Sequence, residues 1–167
     1  MRFDFIKPWT VALIVGLIVV DQVSKWATEA YLPLQEAINL VSILSLYRTY
    51  NTGIAFSMFD WAGATGLIVL ALVVVLLMIY LWSKVPAARW LSHLGFALII
   101  AGAIGNLIDR SLWGHVIDMV LLHTQTWAFA VFNLADAFIS VGAAAIILDE
   151  ILAMRRKDSQ DETNPSA

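Results

Sequence analysis

The sequence predicts a mainly α-helical, integral membrane four-helix bundle with a small extracytoplasmic β-sheet element. Of the 167 residues, 60% are hydrophobic and only 14% are charged. Soluble domains average about 25% charged residues. The mean hydropathy is +0.80. Four segments are long enough to cross the hydrocarbon core of a bilayer, which takes roughly 20 helical residues. We expect these spans at residues 8–30, 61–82, 90–108 and 127–148.

The composition excludes several kinds of site. The net charge of −3 leaves no basic surface to attract nucleic acid, so we expect no nucleic-acid partner. The chain has no cysteine, which excludes a thiol nucleophile, a disulfide and a thiolate metal site. The histidines His93, His115 and His123 lack the metal-binding spacing of the H-E-x-x-H pattern. We therefore expect no metal and no other cofactor.

The first span could be mistaken for a signal peptide, because Arg2 and Lys7 precede its apolar run. No small-residue cleavage site follows the run, and the segment 21–25 continues the helical pattern. We interpret residues 8–30 as an uncleaved span.

The next three spans are predominantly apolar. In the third span, small residues recur at steps of four and would let helices approach closely: Ala97, Ala101 and Gly105. The fourth span, residues 127–148, is interrupted by a single charged residue, Asp136.

The flanking residues orient the spans. Tryptophan rings prefer the headgroup level, and five of the seven lie at span ends: Trp9, Trp61, Trp82, Trp90 and Trp127. The two termini and the connection between spans two and three carry seven of the ten Lys and Arg residues. By the positive-inside rule both termini are cytoplasmic. Residues 31–60 and 109–126 then face the outside.

The outer segments carry strand signals. Residues 38–50 are rich in Ile, Val, Leu, Tyr and Thr, and the turn signal Asn51-Thr52-Gly53 follows them. Residues 116–122 form a second short apolar run. Together they predict a small sheet on the outer membrane surface. Residues 155–167 end in a polar stretch, and we expect them to form a disordered cytoplasmic tail behind a single membrane-embedded domain, residues 1–154.

Two aspartates mark the candidate site. Asp136 lies within an apolar span, where an ionisable group costs several kcal/mol unless it is paired or hydrated. Asp118 lies in the outer connection between spans three and four, on the same side of the membrane. Two carboxyl groups that share one proton can activate a water molecule for attack on a peptide carbonyl. The sequence therefore raises the hypothesis of an aspartate dyad.

Other polar residues fall at helical spacings in the outer half of the spans. Asn133, Asp136 and Ser140 would share one face of span four. Two further pairs lie four residues apart, Asn106 with Arg110 and Asp21 with Lys25. We expect Asp21 and Lys25 to form a structural pair, and Asp109 to be a structural partner at a helix end. Bundling would bring these faces around one outward-facing polar cleft.

Five short motifs, in this order, resemble those of the bacterial lipoprotein signal peptidases, also called signal peptidase II. The resemblance covers nearly the whole chain, with motif order, loop placement and four-span topology in agreement. Ile54 departs from the family pattern, in which a small residue is more usual, but it leaves the catalytic positions unchanged. The motifs are Asp21-Gln22-Val23-Ser24-Lys25, Asn51-Thr52-Gly53-Ile54-Ala55-Phe56-Ser57, Gly105-Asn106-Leu107-Ile108-Asp109-Arg110, Val116-Ile117-Asp118 and Phe132-Asn133-Leu134-Ala135-Asp136.

The resemblance implies an intramembrane aspartyl endopeptidase of the bacterial inner membrane, with its active site on the periplasmic side. Its partners would be membrane lipids and prolipoproteins that carry a diacylglyceryl group on a cysteine, and the cut would fall just before that cysteine. We expect the enzyme to act as a monomer. The catalytic residues would be Asp118 and Asp136. Four residues would support substrate and dyad: Asn51, Asn106, Arg110 and Asn133.

Other interpretations of the same residues remain open at this point. Asp136 would serve equally as a helix–helix contact, and Asp118 as a solvated loop carboxylate. We expect Arg48 to anchor at the interface and Arg110 to belong to the site. The alternative function is a small non-enzymatic carrier or assembly subunit that uses Asp136 as an ion or helix contact. A transport path would need polar groups continuing to the inner face, and the inner halves of the spans lack charged residues.

Overall fold

The computed structural model of the protein describes residues 7–53 and 63–163, with the backbone alone at residue 64 and from residue 157 onward. Four helices and one four-stranded sheet make up this part of the chain, which confirms the predicted fold class. The elements are α1 (Pro8–Tyr31), β1 (Ala37–Val41), β2 (Leu44–Asn51), α2 (Gly63–Trp82), α3 (Trp90–Trp113), β3 (Val116–His123), β4 (Ala128–Phe132) and α4 (Leu134–Thr163).

Helix α3 is the centre of the bundle and packs against α1, α2 and α4. Its contact with α4 is close because glycines leave room for backbone to approach backbone. A Cβ atom on Gly142 of α4 would lie 2.6 Å from the carbonyl oxygen of Gly95, and one on Gly95 would lie 2.7 Å from the carbonyl oxygen of Gly142. Ala97 and Ala101 of α3 are buried. Small residues therefore set the helix spacing, as expected inside a membrane.

The outer surfaces of the helices are apolar. Large side chains such as Val19 of α1, Leu76 of α2 and Ile147 of α4 are more than half exposed. All four helices are long and apolar enough to cross a membrane. Lipid tails would cover these side chains without the cost that water imposes. The protein is a multi-pass membrane protein.

The sheet is antiparallel, with strand order β1-β2-β3-β4. Arg48 of β2 connects the sheet to α1, because its Nη1 donates hydrogen bonds to the carbonyl oxygens of Glu29 and Leu32 at 2.9 Å and 3.1 Å. Glu29 is in the last turn of α1 and Leu32 directly follows the helix, where carbonyl groups lack a helical partner and attract a cation. The side chain of Arg48 thus caps α1 instead of serving only as an interface anchor.

The fourth span begins later than predicted. Residues 128–132 form β4, and α4 begins at Leu134. The apolar run 127–148 has no internal break that separates strand from helix, but residues 128–132 pair with β3. Asp136 therefore lies in the first turn of α4, not nine residues inside a helix. Ser140 is one turn further along the helix, and its hydroxyl donates to the carbonyl oxygen of Asp136 at 2.8 Å.

Helices α3 and α4 are also longer than predicted at their carboxyl ends. Helix α3 continues past residue 108 to Trp113 and ends where Gly114 adopts a left-handed conformation, with φ 76°. Helix α4 continues through residues 155–163, which we expected to be disordered. Those residues contain neither glycine nor proline and include strong helix formers, so the helix propagates beyond the apolar span.

The tryptophans divide into two groups. Trp9, Trp90 and Trp127 are exposed, as rings in a headgroup layer would be. Trp82 is 1% exposed, and its Nε1 donates to His93 Nδ1 at 2.7 Å, so it is a core residue, contrary to the prediction. Trp61 lies outside the described residues, as do the motif residues 54–57.

Candidate active site

Asp118 lies on β3, opposite Thr49 of β2. One carboxylate oxygen accepts a hydrogen bond from Asn51 Nδ2 at 3.0 Å, and the other accepts one from Asn133 Nδ2 at 2.6 Å. Burial, and next the neighbouring Asp136 carboxylate, raise the pKa of Asp118 to about 6, although the two amide hydrogen bonds oppose this change. Asp118 therefore holds a proton at pH values where an exposed aspartate has lost it.

Asp136 closes the amino end of α4. Its backbone N–H donates to Asn133 Oδ1 at 3.0 Å, and its Oδ2 accepts a hydrogen bond from the backbone N–H of Asn133 at 3.3 Å. This reciprocal pair is a capping box, which satisfies two free N–H groups at the helix start. The other carboxylate oxygen accepts from Asn106 Nδ2 at 2.7 Å. Both carboxyl oxygens of Asp136 therefore accept hydrogen bonds beside the positive end of the helix dipole.

Asn133 connects the two aspartates. Its side-chain nitrogen donates to Asp118, while its side-chain oxygen and backbone nitrogen engage Asp136. We expected Asn133 to contact substrate, but it has no exposed surface. All its polar side-chain atoms face the aspartates, so it positions them. Asn133 therefore holds both carboxyl groups, although Asp118 lies on a strand and Asp136 lies on a helix.

A buried charged network lies behind Asp136. Lys25 Nζ is 2.8 Å from Asp21 Oδ2 and 2.7 Å from Asp109 Oδ2, and it donates to Asn106 Oδ1 at 3.0 Å. The pair of Asp21 with Lys25 is the one that the spacing predicts. Because the oxygen of Asn106 accepts from Lys25, the amide nitrogen of Asn106 is directed at Asp136. All four of these side chains are less than 10% exposed.

Asp21 also reaches α4 directly. Its Oδ1 accepts a hydrogen bond from the backbone N–H of Ala135 at 3.0 Å. That N–H is one of the unpaired donors of the first helical turn, next to Asp136. Helix α1 therefore holds the helix end on which Asp136 lies. A Cβ atom on Gly105 would come within 2.6 Å of Asp21 Oδ2, so the glycine makes room for this carboxylate.

Gln22, for which we predicted no role, belongs to the same network. Its Nε2 lies within hydrogen-bond distance of Asp21 Oδ2, Asp109 Oδ1 and the carbonyl oxygen of Gly105, at 3.2, 2.9 and 3.2 Å. An amide in the outer half of an apolar helix, directly after Asp21, is the signal that would have identified it. Gln22 joins α1 to α3 at the depth of the aspartates.

Arg110 lies one turn beyond Asn106 on α3. Its Nη2 donates to the carbonyl oxygen of Gly53 at 2.6 Å, and its Nη1 donates to the carbonyl oxygen of Asn106 at 3.5 Å. Gly53 N–H in turn donates to Asn51 Oδ1 at 3.0 Å. Arg110 therefore fixes the end of β2, which carries the Asn51 amide that contacts Asp118.

Both aspartates line an open cavity of about 710 Å³. Asn51, Asn106 and Arg110 line it as well. Asp21, Lys25 and Asp109 do not, which agrees with the structural role expected for them. One wall is apolar and comes from α2: Leu67, Leu70, Ala71 and Val74. The arrangement offers two carboxyl groups beside a surface suited to acyl chains or apolar peptide segments.

The fold and the site define a multi-pass membrane protein in which two carboxyl groups, each held by asparagine amides, face one partly apolar cavity. Among the described residues, no cluster of three or more His, Asp or Glu side chains is arranged to hold a metal ion. Carboxyl groups of this kind can act on a water molecule as general acid and general base.

Residues 13–152 match the family model for signal peptidase (SPase) II. The lipoprotein signal peptidase of Mesorhizobium japonicum is 55% identical over 147 residues, which is 88% of either chain. That of Sinorhizobium fredii is 52% identical over 156 residues, covering 93% of this chain and 94% of the relative. That of Brucella ovis is 48% identical over 150 residues, covering 89% and 94%.

Solved structures share the fold. A bacterial membrane enzyme determined by the in meso method at 2.3 Å superposes with a TM-score of 0.77 at 22% identity, covering 94% of this chain and 91% of the other. A second, determined at 1.9 Å, gives 0.72 at 23% identity, covering 83% and 90%. The chain belongs to the signal peptidase II family and is a peptidase. This membership overturns the alternative of a non-enzymatic carrier or assembly subunit.

Proposed function

We propose that this protein removes the signal peptide from lipid-modified prolipoproteins, with Asp118 and Asp136 as its catalytic dyad. The relatives named lipoprotein signal peptidases supply the substrate class. The observation that carries the proposal is that both carboxyl groups line one cavity and are connected through Asn133. A dyad needs two carboxyl groups whose relative position is fixed, because both must reach the same water molecule and peptide carbonyl.

The two aspartates have different environments, which supports different roles. The raised pKa of Asp118 favours its protonated form and suits the role of general acid, while both carboxyl oxygens of Asp136 accept hydrogen bonds at a helix amino end, which suits the role of general base. Asp136 takes a proton from the attacking water, and Asp118 donates its proton to the carbonyl oxygen of the scissile bond. The C–N bond of the resulting gem-diol then breaks as the proton held by Asp136 passes to the leaving nitrogen, and one diol hydroxyl returns a proton to Asp118 as the new carboxyl group forms. The titration belongs to the pair of carboxyl groups.

The cavity walls support a lipid-modified substrate cut just before the modified cysteine. The carboxyl groups and the amides of Asn51 and Asn106 form the polar side, and α2 forms the apolar side. A diacylglyceryl group anchored in the membrane would lie against the apolar side and hold the preceding peptide bond at the carboxyl groups. Burial of acyl chains contributes about 0.8 kcal/mol per CH₂ group, so the lipid can supply much of the binding free energy.

The protein resides in the bacterial inner membrane in this proposal, with both termini in the cytoplasm and the sheet and dyad on the periplasmic side. The distribution of Lys and Arg residues along the sequence supports this orientation. Both carboxyl groups and the amides that hold them meet within a single fold, so the proposed site is complete without a second copy, which supports a monomeric enzyme.

The test is a mass-spectrometric cleavage assay in detergent with lipidated and unlipidated forms of one precursor. Asp118→Asn and Asp136→Asn should each lower the rate by about 10²–10⁴-fold or more, because each removes a proton-transfer group. Glu36→Gln, at an exposed residue, is the matched control and should keep full activity. Full activity in either dyad variant would refute the dyad. Equal cleavage of both precursors would refute the lipid requirement.

A further inference from the structure

Strand β4 has a free edge. It is the last strand of the sheet and pairs with β3 on one side. Among residues 7–53 and 63–163, its backbone forms no ladder with any other strand. In an antiparallel strand every second residue directs its N–H and C=O groups to the same side, so the free edge of β4 presents unpaired donors and acceptors.

The proposed catalytic cavity extends along this edge strand. Five consecutive residues of β4 line the cavity, from Ala128 to Phe132. Successive side chains of a strand point to opposite faces, so a cavity lying on one face would touch only alternate residues. The cavity therefore extends along the whole of β4, as it also does along residues 49–51 of the interior strand β2. The edge also leads to the carboxyl groups, because β4 ends at Phe132 and Asp136 lies in the helical turn that follows.

A peptide bond must leave a helix before it can be hydrolysed. Within a helix the carbonyl group is hydrogen-bonded and shielded from the attacking water. Once the segment is extended near the membrane, however, its backbone N–H and C=O groups have lost their helical partners. Each such group costs several kcal/mol in an apolar environment. A strand edge supplies those partners, and peptide recognition by strand addition uses this chemistry.

We propose that the substrate adds as a further strand to the free edge of β4, antiparallel to it, through the residues that follow the scissile bond. This inference rests on the proposed function. In the proposed orientation β4 runs toward the membrane, since α4 follows it. The substrate emerges from the membrane in the opposite direction. With the scissile bond at the aspartates, the first residues of the mature lipoprotein lie along β4 from Phe132 toward Ala128.

Cysteine cross-linking tests the pairing, because the chain has no cysteine of its own. Single cysteines replace Phe129, Ala130 and Val131 in the Asp118→Asn background, with Leu40→Cys on the opposite edge strand as the control. Each variant is mixed with lipidated precursors that carry one free cysteine at successive positions after the scissile bond, and disulfides are mapped by mass spectrometry. Each step from residue 131 toward 129 should move the preferred partner one residue further from the scissile bond.

Strand addition would be overturned by any of three results: preferred partners that shift in the reverse direction, one partner shared by all three positions, or no cross-link at all. A second measurement uses the wild-type enzyme and synthetic lipidated peptides in which single backbone amides after the scissile bond are N-methylated. We expect KM to rise at alternate positions only, and an equal rise at consecutive positions would also overturn it. Cleavage of the unmodified peptide separates the two proposals. If the unmodified peptide is not cleaved, the proposed function fails. If it is cleaved but the cross-links do not shift in register, or KM does not rise at alternate positions, only the pairing with β4 is refuted.

Discussion

Asn133 donates its side-chain amide to the carboxylate of Asp118 at 2.6 Å, across the boundary between α4 and β3. The same residue caps α4 through its side-chain oxygen. One asparagine thus fixes the helix end and the strand carboxylate together. Because Asn133 has both roles, different substitutions at this position should affect stability and catalysis separately.

Substitution of Asn133 by serine should keep the helix cap but lose the contact with Asp118, because the serine side chain is shorter. We expect near-normal thermal stability with a strongly reduced kcat. Asn133→Ala should lose both, with an additional cost of about 1 kcal/mol for the missing cap. Thermal unfolding and steady-state cleavage measure the two quantities. Equal activity of the serine variant and the wild type would contradict the positioning role.

Removal of the Lys25 charge should destabilise the bundle. Lys25→Met keeps a similar volume but leaves the Asp21 and Asp109 carboxylates buried without their cation. Breaking a buried ion pair in this way costs about 3–5 kcal/mol. We also expect lower activity, since the Asn106 amide loses the contact that directs it at Asp136. Lys84→Met, at an exposed residue, is the control for chemical denaturation in detergent, and equal unfolding of both variants would refute this prediction.

A methyl group at Gly102 should force α3 and α4 apart. A Cβ atom there would overlap the carbonyl oxygen of Ala135, which is backbone and cannot rotate away. Overpacking of this kind typically costs about 1–3 kcal/mol. Gly16→Ala on α1 is the matched control, because no atom lies within 4 Å of its Cβ position. The thermal midpoint should fall only for Gly102→Ala, and an unchanged midpoint would show that the helices can separate freely.

The raised pKa of Asp118 predicts a pH dependence of stability. The carboxyl group has a pKa near 3.8 when unfolded and about 6 in the folded protein. Between these values the folded state binds more protons, so the free energy of unfolding falls as pH rises from about 4 to about 6. The total loss is about 3 kcal/mol, and it is constant above that range.

Asp118→Asn tests this dependence, because all other groups titrate in both proteins. The slope of unfolding free energy against pH should be less negative in the variant between about pH 4 and 6, while the curves run parallel above. Parallel curves over the whole range would mean that the carboxyl group of Asp118 titrates alike in the folded and unfolded states.

Hydropathy was sufficient to predict the helices, because a helix that crosses the hydrocarbon core of a membrane needs a long run of apolar residues. It was insufficient at β4, because the strand and the following helix lie within one predominantly apolar stretch that is long enough for a single span. The capping box was nevertheless visible, since Asn133 is followed three residues later by Asp136. That pattern predicts a helix start at residue 134.

The site residues could be listed from sequence motifs, but their partners could not. Nothing in the spacing of Lys25 shows that it contacts Asn106 and Asp109 on another helix, because those contacts depend on how the helices pack. Trp82 was assigned to the headgroup layer for the same reason. Its position at a helix end is visible in the sequence, whereas its contact with His93 is not.

The network around Lys25 involves three helices, because it connects α1 and α3 to Asp136 at the start of α4. Helix α4 is the last of them to be synthesised. A nascent chain that has inserted only the helices before α4 lacks Asp136 and the helix cap at Asn133 that orients it. In the proposed mechanism, proteolytic competence therefore arrives only once α4 has been synthesised and inserted.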